Sequence, residues 1–240
     1  MRRRALVTGG SGAIGSAICR QLANDGWHVI VHANRGIERA QALARTIVDG
    51  GMSAEACAFD LRDVGATSSD IEALLRDGPV QGIVHNAGVH VDGPLAGMSY
   101  DAWRAPIDVA LNGFFGVVQP LLLPMLRTRF GRVVAISSVA GIMGNRGQAN
   151  YAAAKAGLHG AIKSLAREVA SRGVTANVVA PGIVEGGMSE GTFDVAAIER
   201  IVPMKRAGRP EEVAGLVGFL MTEAAAYLSG QVIAVDGAMT

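Results

Sequence analysis

Val7-Thr8-Gly9-Gly10-Ser11-Gly12-Ala13-Ile14-Gly15 closes one short apolar run and opens an amphipathic one. The run before it, residues 4–7, reads as a strand, and residues 14–25 after it read as a helix. Glycines at such a junction let the backbone come close to a pyrophosphate. The helix start then presents free N–H groups and the positive end of its dipole. The glycines alone also fit a plain turn; the strand-loop-helix setting is what points to a dinucleotide. Gly9, Ser11, Gly12, Ile14 and Gly15 are the binding residues expected from this loop.

Outward from the loop the same alternation repeats. Strands are expected at 28–32, 54–59, 82–85, 131–137, 174–180 and 231–235, and helices at 37–49, 69–75, 101–127, 150–171 and 210–221. Strands alternating with helices predict a parallel sheet covered on both faces, a Rossmann-type doubly wound α/β fold of about seven strands in one domain over 1–240. Pro106 and Pro120 should bend or interrupt the long segment 101–127. Segment 182–203 has weak periodicity and many small residues, and is a candidate substrate lid.

Composition narrows the function classes. Half of the 240 residues are hydrophobic and 18% are charged, ample for a large core. A net charge of +1 gives no overall pull toward nucleic acid or membrane, and no aromatic-basic interleaving suggests base stacking. Cys19 and Cys57 make no spaced framework, so neither a disulfide nor a metal site is expected, as in a reducing compartment. The apolar run Ala5-Leu6-Val7 after Met1-Arg2-Arg3-Arg4 is too short for a signal-peptide core, and no apolar stretch approaches the ~20 residues of a membrane span. A cytoplasmic protein is expected.

The end of the second strand distinguishes the nicotinamide cofactors. A carboxylate there would bind the ribose hydroxyls of NAD and repel an added phosphate. The stretch is Val31-His32-Ala33-Asn34-Arg35, with no acid, and Arg35 can pair with a 2′-phosphate. Asn34 and Arg35 therefore favour NADP(H), although a solvated loop Arg is common. Asp60-Leu61 can close over the adenine edge, though Asp60 also suits a helix cap. Asn86-Ala87-Gly88 makes a compact turn for the ribose side.

Tyr151 and Lys155, at i and i+4, share one face of their helix. A phenol titrates near pH ~10 in water. A nearby ammonium is expected to lower that value, so that Tyr151 can exchange a proton with a carbonyl or alcohol oxygen. Ser138 can hydrogen-bond the same oxygen. An ordinary surface Tyr and Lys is the bland alternative.

With these segments assembled, the sequence resembles the short-chain dehydrogenase/reductase family from end to end. Thr8-Gly9-x-x-x-Ala13-x-Gly15 is similar to its glycine loop, His85-Asn86-Ala87-Gly88 to its Asn-Asn-Ala-Gly turn, and Pro181-Gly182 to the turn beside the nicotinamide. Ser138, Tyr151 and Lys155 match its catalytic Ser and Tyr-x-x-x-Lys. The stretches 147–158, 167–173 and 206–214 resemble the family's 3-oxoacyl-[acyl-carrier-protein] reductases most. The resemblance implies NADPH-dependent reduction of a 3-oxoacyl thioester on acyl carrier protein in fatty-acid or polyene-type elongation. It implies Tyr151 as acid, Ser138 orienting the oxygen, Lys155 also on the nicotinamide ribose, and Pro181, Gly182 and Val184 at the cofactor.

The chain departs from that pattern at Ala13 for a glycine, at His85 for the first Asn, and at Gly186 for a hydroxyl residue. At Ala110 it departs where the family carries an Asn in a Val-Asn-Leu-like run. The other readings are a reductase of another small carbonyl or CoA thioester, and an NADP(H)-sensing protein without catalysis. Because a carrier protein is acidic, Arg129 and Arg172 are candidate docking cations, with helix-end dipole pairing as the alternative. A homotetramer is what the resemblance implies.

Overall fold

A computed structural model describes residues 2–186 and 194–240. The strands are β1 (Arg4–Thr8), β2 (His28–Ala33), β3 (Ser53–Ala58), β4 (Gly82–His85), β5 (Gly131–Ile136), β6 (Val174–Pro181) and β7 (Val232–Val235). They form one sheet in the order β3-β2-β1-β4-β5-β6-β7, and all six pairings are parallel. The helices are α1 (Ala13–Asn24), α2 (Ile37–Asp49), α3 (Val64–Leu75), α4 (Tyr100–Ile107), α5 (Gly113–Arg127), α6 (Ala140–Met143), α7 (Ala149–Val169), α8 (Val195–Ile201) and α9 (Pro210–Leu220).

Strand side chains alternate between two cores, as a period of two requires. Ala5, Val7, Val29, Val31, Val134 and Ile136 pack under α1, α2 and α9. Leu6, Ile30, Ile83, Val133 and Ala135 pack under α3, α5 and α7. Each such aliphatic side chain, removed from water, contributes roughly 1.5–3 kcal/mol before the entropy of ordering it. The sheet order reverses between β1 and β4, so the crevice for a ligand opens at their carboxyl ends.

Three expectations need correction. Segment 101–127 is interrupted after Pro106, where a π-helical turn, Asp108–Asn112, joins α4 to α5, but Pro120 lies inside α5 without ending it. Pro106 has no N–H for the Ala102 carbonyl four residues back, and Asn150 Nδ2 fills that place at 2.7 Å. The joined rod Tyr100–Arg127 is long and apolar enough by composition to cross a membrane. That departs from the expectation of no span-length apolar stretch, and Phe114, Val117, Leu121 and Met125 are buried in the core with Ile71 and Leu158. Finally, α3 starts at Val64 rather than at 69, because Asp63 accepts the Ala66 amide at 3.0 Å and caps it. Part of the supposed lid, residues 187–193, lies outside the described residues. Its flanks are α8 and the stretch before Gly186, where Gly208 donates to the Ile183 carbonyl at 2.9 Å.

Candidate active site

The carboxyl ends of β1 to β4 face a cleft of ≈ 710 Å³, a size that suits a cofactor. Gly9, Ser11, Gly12, Ile14, Gly15, Asn34, Arg35, Asp60, Leu61, Asn86, Ala87 and Gly88 all line it. The glycines fit a close backbone approach. Gly9 has φ +62°, a left-handed conformation, and a Cβ on Gly15 would collide with the Gly9 carbonyl. Helix α1 starts after Gly12 with no side-chain cap and no acid in its first turn, so nothing opposes its positive end. Asn86 Nδ2 holds the loop by donating to the Thr8 and Gly9 carbonyls at 3.0 and 3.1 Å. This cradle fits a pyrophosphate.

Around the adenosine side stand Arg35, Arg39 and Arg62. Arg62 is committed to Asp60, with Nη2–Oδ2 at 2.6 Å, and that pairing holds the Asp60 carboxyl below its usual pKa. Asp60 is therefore not a helix cap; Asp63 is. Among the described residues, neither Arg35 nor Arg39 is in an ion pair. Arg39 is a cleft residue that the sequence reading missed. The signal was there: it lies one helical turn past Arg35, at the start of α2.

Two of the loop's departures touch. A Cβ on Gly186, whose φ is +62°, would come within 3.2 Å of the Ala13 methyl. The methyl that replaces a loop glycine therefore sits in the space left by a glycine opposite it. Gly186→Ser should weaken dinucleotide binding about tenfold, from left-handed strain of ~1–2 kcal/mol plus the contact. Ala13→Gly in the same chain should recover part of the loss; fluorescence titration with the dinucleotide reads both.

Ser138 follows β5, while Tyr151 and Lys155 lie in the first turns of α7. All three converge. The Lys155 Nζ lies 5.7 Å from the centroid of the Tyr151 ring and donates to the Ile136 carbonyl at 2.8 Å. Burial pushes the Lys155 ammonium down to about 8. Burial also raises the Tyr151 phenol; the Ser138 hydroxyl opposes that rise and Asp92 adds to it. The expected lowering of Tyr151 by Lys155 is thus not what this arrangement does: the ammonium points at a backbone carbonyl, and desolvation outweighs it. The phenol keeps its proton at neutral pH.

Asn150 fixes the start of α7. Its amide donates to the Val91 and Ala102 carbonyls at 2.9 and 2.7 Å, and its oxygen accepts the Tyr151 amide at 2.8 Å. His90 stands edge-on to the Tyr151 ring at 6.5 Å and contacts Asp92 at 3.0 Å, and Gln148 donates to the same carboxylate. Sequence reasoning passed over Asn150, His90, Asp92 and Gln148, because only the fold brings the 90–92 loop to α7.

Ser138, Tyr151, Lys155, Pro181, Gly182 and Val184 are not among the residues that line the cleft with the glycine loop; they lie at and after the carboxyl ends of β5 and β6 and at the start of α7. Pro181 accepts the Val139 amide at 2.9 Å, tying β6 to the residue after Ser138. Arg129 and Arg172 are exposed and precede β5 and β6, at the amino end of the sheet. Arg172 is separated from Tyr151 by the length of α7, roughly 30 Å at 1.5 Å per residue, so neither Arg is beside its own chain's Tyr151. Among the described residues no group of three or more His, Cys, Asp or Glu is placed to hold a metal ion.

Two buried histidines lie beneath the site. His32 accepts the Gly9 amide at 3.3 Å on Nδ1, and its Nε2 faces the Phe59 carbonyl at 2.9 Å. His85 lies between Thr8 and Ala110. Burial lowers their pKa values from 6.5 to about 4 and about 3. In the unfolded chain both take protons near pH 6.5, so unfolding takes up protons between there and about 4. Stability should therefore fall with pH across that window, by about 1.4 kcal/mol per pH unit for each histidine. Denaturant titrations of wild type and His32→Gln at a series of pH values check this; the variant should lose about half of the slope.

Known proteins resemble this chain along its whole length. The chain is 41% identical to the 3-oxoacyl-[acyl-carrier-protein] reductase FabG of Aggregatibacter actinomycetemcomitans, over 100% of both chains. It is 41% identical to the 3-oxoacyl-[acyl-carrier-protein] reductase of a Synechocystis strain, covering 98% of this chain and 96% of the relative. It is 38% identical to the FabG of a Staphylococcus aureus strain, over 100% of this chain and 98% of the other. The short chain dehydrogenase family profile matches residues 3–195. With that match, and with relatives aligned along its whole length, the chain belongs to the short chain dehydrogenase family.

Proposed function

We propose that the protein is an oxidoreductase that reduces the 3-oxo group of an acyl chain carried on acyl carrier protein, using NADPH. The convergence of Ser138, Tyr151 and Lys155, after the carboxyl end of β5 and so on the same edge of the parallel sheet as the glycine loop after β1, carries this reading. The glycine loop holds the pyrophosphate, and Arg35 with Arg39 the 2′-phosphate. Bound NADPH supplies the hydride equivalent. Ser138 Oγ orients the substrate oxygen, and Tyr151, kept protonated by burial, gives it a proton. Lys155, positively charged below about pH 8, would hold the nicotinamide ribose hydroxyls.

The relatives' names supply the acyl carrier protein. Exposed apolar side chains on α5, Phe115 and Leu123, support assembly with further copies, and a homotetramer is the form we favour. Docking of the carrier at Arg129 and Arg172 would then serve the cleft of a neighbouring copy, because both lie far from their own chain's Tyr151. NADPH oxidation is measured with acetoacetyl-ACP, acetoacetyl-CoA and a free 3-oxo ester. The reading expects kcat/KM at least about tenfold higher for the carrier-bound substrate, equivalent to about 1.4 kcal/mol of extra recognition. Equal rates on all three would favour a general carbonyl reductase.

A further inference from the structure

The π turn Asp108–Asn112 lies between the dinucleotide cradle and the helix that carries Tyr151 and Lys155. Residue 110, where the family resemblance places an Asn, is a buried Ala whose side chain donates no hydrogen bond. The Ala110 carbonyl is nevertheless bonded: His85 Nε2 lies 3.0 Å from it. On the other side of the ring, Nδ1 lies 3.4 Å from Thr8 Oγ1. We propose that His85 is a positioning residue that sets the register between the glycine loop and the Tyr151–Lys155 helix, by holding the Ala110 carbonyl of the π turn from β4. The inference rests on the reductase reading for its kinetic consequence and on the fold alone for its geometry.

Donor and acceptor counting fixes the tautomer. The Thr8 hydroxyl has one proton and two lone pairs. Its lone pairs accept the Asn86 and Ala87 amides, both at 3.0 Å. Its proton is left for His85 Nδ1. That nitrogen is therefore an acceptor, and Nε2 carries the hydrogen that reaches Ala110. No donor is wasted and no acceptor is orphaned along this path. The ring also stacks edge-on with Phe114, centroid to centroid 5.6 Å, so its plane is held as well as its ends.

The path is mechanically connected at both ends. Asn86, next to His85, holds the Thr8 and Gly9 carbonyls of the loop. Leu111, next to Ala110, is seated on Gly157 of α7: a Cβ on Gly157 would lie 2.8 Å from the Leu111 side chain. Gly157 is two residues beyond Lys155. One imidazole thus links the strand that ends in the cofactor loop to the turn that packs on the catalytic helix. Burial above all holds it neutral, and Lys155 and His32, the charged or titratable groups that act on it, push the same way. Misplacement of reacting groups by about 1 Å is enough to lose about 10²-fold in rate, so a register element of this kind bears on kcat.

The test uses the full chain, with wild type, His85→Phe and His85→Gln. His85→Phe keeps a ring against Phe114 but has no donor; His85→Gln keeps a donor at similar reach. Two readouts are taken. Backbone hydrogen exchange of Asp108–Asn112 needs no substrate. Kinetics are normalised to dinucleotide-binding sites, so that loss of folded protein does not count. His85→Phe should speed exchange in the π turn and lower kcat at least about tenfold, with KM for NADPH within about twofold, and His85→Gln should recover most of both. Unchanged π-turn exchange in His85→Phe, or a variant that is less stable but turns over normally per site, overturns the proposal. If His85→Phe does not fold, nitrogen NMR of wild-type His85 decides: an Nδ1–H tautomer at neutral pH overturns it, and an Nε2–H tautomer with accelerated exchange in His85→Ala supports it. A wild type with no turnover on any acetoacetyl thioester sinks the reductase reading, and the exchange measurement still decides this one.

Discussion

Tyr151→Phe should lower turnover by about 10³-fold or more while leaving NADPH affinity within about twofold, because general acid transfer contributes about 10²–10⁴-fold and binding does not depend on the phenolic proton. The change removes one oxygen from a side chain that is 8% exposed and leaves the ring in place. Apart from the contact with the Ser138 hydroxyl, no hydrogen bond to the fold is lost: the contacts that hold the start of α7 are made by Asn150 and by the Tyr151 amide. The Ser138 hydroxyl loses the group it faces, yet still accepts the Ala140 amide at 3.1 Å. The melting temperature should therefore barely move. Stopped turnover with intact binding would identify the phenol as the proton donor; residual turnover of more than a few per cent would point to another acid, and His90, edge-on to the ring, would be the first to mutate.

The second large effect concerns the choice of cofactor. Arg35 and Arg39 line the cleft, and Arg62 is already paired with Asp60. A charge-assisted hydrogen bond contributes about 1.5–3 kcal/mol, so removing two from a 2′-phosphate should weaken NADPH by about 10²-fold or more. NADH has no such phosphate, and its affinity should stay within about threefold, since among the described residues neither Arg is in an ion pair whose loss would disturb the loop. Arg35→Ala/Arg39→Ala, titrated with both cofactors, checks this. Equal weakening of the two would mean that the arginines shape the loop rather than read the phosphate.

The fold was legible because its signals are local. Each strand is a short apolar run, and β4 was placed to the residue at Gly82–His85. The glycine loop is read from neighbours along the chain, and Tyr151 and Lys155 from a single helical turn. What sequence could not show was the joining of distant segments. The long segment from Tyr100 to Arg127 is visible in sequence, but how it survives Pro106 is not, because the Ala102 carbonyl orphaned by that proline finds its partner in Asn150, far along the chain. The π turn was invisible for the same reason: its Ala110 carbonyl is satisfied from β4 by His85. His85, Ala110, Ala13 and Gly186 each stood out in the sequence as separate irregularities. In space they are two touching pairs, and each member makes sense of the other. The pKa of Tyr151 was misjudged because i to i+4 spacing gives proximity along a helix, not the direction in which an ammonium points or the depth of burial around a phenol.

The most direct test of the whole account is to follow dihydronicotinamide absorbance after mixing the protein with NADPH and acetoacetyl-ACP, and to analyse the acyl product. The account predicts loss of absorbance matched one-to-one by 3-hydroxybutyryl-ACP in wild type, and none in Tyr151→Phe with NADPH still bound. A wild-type protein that binds NADPH tightly but never oxidises it in the presence of the thioester would contradict it.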